Sequence, residues 1–228
     1  MKRIITCLGI LLGASLLANA QTSETRNLDS FNEIRVSESI TVRLKKGNAN
    51  VAQIETRGVD ADRVETEVEG STLYIRMKRG NYFSKNVEID LTYAQELEAV
   101  SVSSSASVIS KDEIAVEDFD IRASSSGRAD LLLNVRKLDV RISSSADVFL
   151  DGKAKYQDID ISSSGRLSAY GLDSEEVDIS VSSSGKAEVT VHGLLEGKAS
   201  SSGRVYYKGS PDKVYVDTSS SGKIRKEG

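Results

Sequence analysis

"VDISVSSSGKAEVTV", residues 177–191, sets three serines and a glycine between two stretches in which apolar and polar residues alternate. The arrangement returns along the chain. Serine triplets begin at Ser103, Ser124, Ser143, Ser162, Ser182, Ser200 and Ser219, with spacings of 21, 19, 19, 20, 18 and 19 residues. A period near nineteen held over seven copies is the mark of a solenoid. A flexible Gly/Ser linker would keep neither that register nor apolar residues between its serines.

Aligning the copies on their first serine makes columns. Three positions before it stand Val100, Ile121, Val140, Ile159, Ile179, Gly197 and Val216; five after it stand Val108, Ala129, Val148, Leu167, Ala187, Val205 and Ile224. The columns five and one before the serine are also mostly apolar, whereas the columns between are mostly charged or hydroxylated. Alternation with period two predicts strands with one buried face, and no stretch of the repeat carries a helical period. Strands of one parity recurring at a fixed period stack into a parallel β-solenoid, each coil about 4.8 Å from the next, with a perimeter near ~60 Å that allows two or three short faces.

The same parity, continued through the triplet, points its middle serine inward: Ser104, Ser125, Ser144, Ser163, Ser183, Ser201 and Ser220. The next inward column holds only alanine or glycine, from Ala106 and Gly127 to Gly222. A bend too tight for larger side chains is therefore expected there, with the middle hydroxyls buried and bonded and the first and third serines exposed in two rows.

Between Phe31 and Gln95 the chain is strand-patterned without triplets. Ile34, Val36, Ile40, Val42 and Leu44 alternate; Val64 to Val68 leads through Glu69-Gly70 into Leu73, Ile75 and Met77; Val87, Ile89 and Leu91 follow. "VSESITVRL" reads as a degenerate coil with Ser37-Glu38-Ser39 in place of the triplet, as expected of the atypical terminal repeats that cap a solenoid. The expected layout is a leader over 1–20, a lead-in over 21–30, one β-helix domain over 31–224 (cap 31–96, serine coils 97–224) and a basic tail over 225–228.

The leader is a secretory signal peptide. Lys2 and Arg3 precede an apolar run, Ala18-Asn19-Ala20 supplies the cleavage site before Gln21, and the run is too short for a membrane span. Cys7, the only cysteine, precedes the run rather than following it, so neither a lipid anchor nor a disulfide is expected. Of 30 basic and 34 acidic residues, Lys2 and Arg3 belong to the leader, which leaves a net charge of about −6. With no basic patch interleaved with aromatics, a nucleic-acid partner is not expected.

No residue is assigned a catalytic, cofactor or metal role. A serine nucleophile needs a base, and seven equivalent triplets cannot share His192, which sits beside a turn; a Gly-x-Ser-x-Gly elbow and a His-x-x-x-His pair are both absent. Two outward columns are charged. Asp120, Asp139, Asp158, Asp178 and Glu196 form one; Arg128, Arg166, Lys186, Arg204 and Lys223 form the other, interrupted by Ser107 and Asp147. Like charges at coil spacing repel. Arg122 and Arg141, or bound cations such as Ca²⁺, could offset the acidic row, and pairs such as Arg128 with Asp130 or Lys186 with Glu188 the basic one.

"FNEIRVSESITVRLKKG" (31–47), "VETEVEGSTLYIRMKRG" (64–80) and the SSSG coils together resemble a bacterial family, the putative auto-transporter adhesin, head GIN domain, across residues 28–222. The resemblance implies a right-handed single-stranded β-helix exported to the envelope, a role in adhesion and no catalytic residues to carry over. The expectation is a non-catalytic envelope protein presenting a rigid surface to a glycan or a cell-surface protein. Its rivals are a polysaccharide lyase or hydrolase on the same scaffold and a purely structural or signalling envelope module.

Overall fold

A computed structural model describes residues 21–82 and 85–227; the expected leader, with Cys7, lies outside the described residues. Eight strands precede the serine coils: β1 (Gln21–Asn27), β2 (Glu33–Val36), β3 (Ile40–Lys46), β4 (Val51–Arg57), β5 (Val64–Glu69), β6 (Thr72–Met77), β7 (Asn86–Tyr93) and β8 (Ala99–Val102). Five long strands follow, each wrapping most of one coil: β9 (Ser107–Ala123), β10 (Arg128–Ile142), β11 (Asp147–Ile161), β12 (Arg166–Val181) and β13 (Lys186–Ala199). The last coils are broken into β14 (Arg204–Lys208), β15 (Lys213–Thr218) and β16 (Lys223–Lys226), and the only proline, Pro211, lies in the gap between β14 and β15.

The long strands pair in parallel in chain order, which makes the molecule an all-β solenoid with coils of about nineteen residues. Sequence columns become ladders: Val140 lies between Ile121 and Ile159, and Asp139 between Asp120 and Asp158. The 21-residue first spacing is absorbed in β9, where Ser110 pairs with Leu131 but Glu113 pairs with Leu132, leaving Lys111 and Asp112 bulged out. Inside, the apolar columns fuse into one core in which Ile121, Leu138, Val140, Ile159 and Ile179 are fully buried.

The corner differs from expectation. The middle serine faces solvent, as does the third, while the first is half-buried and the following alanine or glycine is buried in six of the seven corners. The reason lies in the backbone. Both the middle and the third serine adopt positive φ in every triplet, as at Ser104 (51°) and Ser105 (61°), so the pleat that would carry parity through the corner does not exist there. The residue after the triplet donates its N–H to the first serine's carbonyl, at 2.8 Å for Gly127 to Ser124, closing a turn of the type I′ class. Coils are tied at the same point. The third serine's N–H bonds the middle serine's carbonyl on the next coil, as Ser126 to Ser144 at 3.1 Å and Ser184 to Ser201 at 3.0 Å.

The cap contains one true coil. β2 and β3 stack in parallel on β8 and β9, and Glu38 (φ 66°) and Ser39 (φ 60°) repeat the corner, with the Ser39 N–H bonded to the Ser104 carbonyl. Beyond it the sheet becomes mixed: β6 and β7 pair in parallel with β2 and β3, then β5, β4 and β1 close the end in antiparallel fashion. β1, within the stretch expected to be only a lead-in, contains no apolar residue. Besides its ladder to β4 it is fixed by Arg26, whose guanidinium reaches the Val64 and Ala61 carbonyls and the Thr66 hydroxyl while pairing with Glu24.

Candidate functional site

Stacked corners build a crest along the solenoid. Each coil adds two exposed hydroxyls, from the middle and third serines, and repetition about every 4.8 Å turns them into two rows. The middle serine's N–H has no bonding partner within the protein among the described residues, so a row of backbone donors lies open beside the hydroxyls.

A groove of about 650 Å³ follows the crest. The first serines form one wall from Ser124 to Ser200; Arg122, Arg141, Asp160, Ser180 and Lys198 form the other; Ile142, Ile161 and Val181 lie at the floor. A second hollow of about 350 Å³ shares Arg122 and Ser124 with it and carries it onto the cap, past Ser37, Arg35, Tyr74 and Arg76. The Arg35 and Arg76 guanidinium carbons lie 5.6 and 5.5 Å from the centre of the Tyr74 ring. Serines therefore line the groove in every coil from Ser37 to Ser200, opposite a wall that is cationic at Arg35, Arg122, Arg141 and Lys198 but not at Ser101, Asp160 or Ser180, with one aromatic ring at the cap end. The parity reading missed this site; the column two before the triplet (Arg122, Arg141, Asp160, Ser180, Lys198) was its sequence signal.

The acidic row is present as a ladder and is neutralised unevenly. Asp120 pairs with Arg122 at 2.9 Å, and Asp139 with Lys137 at 3.1 Å, while Arg141 reaches both carboxylates. Asp158 has no ion pair among the described residues. Burial, and then the charges of Asp139, Asp160 and Asp178, hold its pKa above the ordinary carboxylate value. No group of three or more His, Cys, Asp or Glu among the described residues is arranged to hold a metal ion.

In the basic row Lys186 pairs with Glu188, as the spacing suggested. Arg128 does not pair with Asp130. Its guanidinium stacks on Phe149 of the next coil, 4.1 Å from the ring centre, and Asp130 binds Lys111 from the β9 bulge at 3.0 Å. The bulge, whose two extra residues show in the 21-residue spacing but whose place does not, swings that lysine across. His192 is exposed, its Nε2 3.4 Å from Asp173, and touches none of the triplets.

The family described as "Putative auto-transporter adhesin, head GIN domain" matches residues 30–211. The chain belongs to this family. Solved structures carry the same fold. A putative adhesin from Bacteroides fragilis superposes with a TM-score of 0.82 at 19% identity, covering 92% of this chain and 98% of that one. A putative adhesin from Parabacteroides merdae gives 0.76 at 19% identity, covering 91% and 96%. A protein from Parabacteroides distasonis described as a putative lipid binding protein gives 0.71 at 19% identity, covering 91% and 97%. No protein of curated function matches the sequence. The family's fold thus carries different functional descriptions, and the ligand must be argued from the site. No helix among the described residues is long and apolar enough to cross a membrane.

Proposed function

We propose that this protein is a non-catalytic adhesin of the bacterial envelope, exported by its leader and cut before Gln21, which holds a linear glycan along the serine crest and its groove. One observation carries the reading. At each corner two non-glycine residues take up a left-handed backbone that costs roughly 1 kcal/mol or more apiece, and glycine would remove that cost. Seven corners nonetheless use Ser-Ser, both exposed. What serine adds over glycine at such a position is a hydroxyl at the surface, and backbone strain at an exposed, regular site is a mark of use.

The chemistry fits a sugar polymer. Hydroxyl rows and open N–H groups match sugar hydroxyls, Arg122, Arg141 and Lys198 add donors and Asp160 an acceptor on the facing wall, and Tyr74 offers a ring on which a sugar can stack. None of the triplet hydroxyls bonds a histidine or a carboxylate among the described residues, so the serines of the crest form no activated nucleophile.

Retention on a polysaccharide panel, scored together with release of oligosaccharides, tests the proposal. The triple variant Ser125→Gly, Ser144→Gly, Ser163→Gly keeps the left-handed corners and deletes three neighbouring hydroxyls. Retention by the parent, lost in a variant that melts within a few degrees of it, is the expected result. Steady product release would instead make it an enzyme, and retention indifferent to the missing hydroxyls would remove the crest from the site.

A further inference from the structure

The last coil leaves one strand unlike all others. Val214, Tyr215 and Val216 are the only large hydrophobic residues that are exposed among the described residues, at 40%, 59% and 49%. All three lie on β15, which pairs with β13 along one edge and, among the described residues, with no strand along the other. Val214 and Val216 occupy columns that are fully buried one coil or two earlier, at Leu195 and Ile179. Lys213 and Asp217 flank them, both exposed and without an ion pair among the described residues.

The strand reads Lys213-Val-Tyr-Val-Asp217, and its charges and apolar groups are self-complementary about Tyr215 when a second copy runs antiparallel. Lys213 then faces the other copy's Asp217, Val214 faces Val216, and Tyr215 faces Tyr215. A two-fold axis normal to this sheet generates that pairing, and closed two-fold pairing is the commonest way identical chains associate. The neighbouring edge strand β16 carries Lys223, Arg225 and Lys226, whose like charges make it unfit for the same self-pairing.

We propose that two copies join end to end through β15, as an isologous antiparallel strand pair centred on Tyr215. The free edge supplies the ladder hydrogen bonds, the valines of both copies cover one another, and the two Lys–Asp pairs fix register and direction. The interface is small, so the dimer is expected to be concentration-dependent.

Sedimentation velocity on the exported protein over a wide concentration series reads the equilibrium. Lys213→Asp alone sets carboxylates opposite each other, Asp217→Lys alone sets amines opposite each other, and each should weaken the dimer on the order of tenfold. The double variant Lys213→Asp, Asp217→Lys should recover it. Mixing the two single variants should also restore association, because each then supplies what the other lacks. Both positions changed are exposed and, among the described residues, without an ion pair, so unchanged circular dichroism is expected throughout. A parent monomeric at every concentration, assembly past the dimer into filaments, or single variants that dimerise as the parent does would overturn the proposal.

Discussion

A methyl group built on Gly203 would stand 2.3 Å from the Val181 carbonyl oxygen, a contact that only backbone movement relieves. On Gly165 the first obstacle is the Ile142 Cγ2 methyl at 2.7 Å, with backbone no nearer than 3.2 Å. Ala106 and Ala146 fill the same buried column in other coils, so the corner takes a methyl wherever the coil above has yielded. Gly203→Ala should therefore cost about 1–3 kcal/mol and Gly165→Ala clearly less; urea unfolding gives both, and the reverse ranking would contradict the packing described. Gln157 is buried in a mostly apolar column, bonded through Nε2 to Ser174 and with its Oε1 without a hydrogen-bond partner among the described residues. Ser174→Ala alone strands the rest of the amide and should cost about 1–3 kcal/mol, whereas Ser174→Ala with Gln157→Leu should return to the parent's stability or exceed it. Thermal melts of the two variants check this pair, and a double variant less stable than the single would refute it.

At the scale of elements, what the sequence disclosed and what it hid have separate physical causes. The coils from Ser107 to Ala199 were legible because strand pairing repeats one parity without interruption, so Val140 could be set over Ile121 before any coordinates. The middle serines were misplaced because counting by twos assumes an extended backbone, and two left-handed residues in succession reverse that count while leaving the alanine or glycine after them inward. β1 and β4 went unseen for want of apolar residues: "QTSETRN" has none, and β4 buries only Ala52, Ile54 and Thr56. The acidic ladder was visible as a column, but its uneven neutralisation depends on where Arg141 and Lys137 reach. Asp158, left without a cation, holds its proton to higher pH than it would in the unfolded chain. Its contribution to stability is thus complete below the ordinary carboxylate range and is lost as pH rises through its raised value. Asp158→Asn should gain a few tenths of a kcal/mol, roughly, near neutral pH, since the site is solvent-exposed, and nothing in acid where the parent is already protonated. A gain that persists unchanged at low pH would assign the effect to something other than charge.

Across the whole molecule, a solenoid's stability is close to a sum of nearest-neighbour contacts between coils, so its two ends decide where opening begins. The ends here are built differently. The first coil is covered by β6 and β7 and then by the antiparallel strands β5, β4 and β1; Ile34 and Ile40 of that coil are fully buried, as is Ile54 of β4. Among the described residues the last has no such cover: every residue of β15 is exposed, and β16 has a neighbour on one side only. Hydrogen exchange should accordingly be slowest in β10 to β12, slow in β2, β3 and β7, and fastest in β15 and β16, a one-sided gradient rather than a symmetric one. Equal fraying at both ends would show that the antiparallel strands add nothing to the cap. The same measurement bears on association, because an intermolecular ladder protects only the strand it occupies: raising the protein concentration should slow the amides of Lys213–Thr218 and leave those of Lys223–Lys226 as fast as before. Protection that rises in both strands would mean that the open end is covered by something broader than a pair of β15 strands.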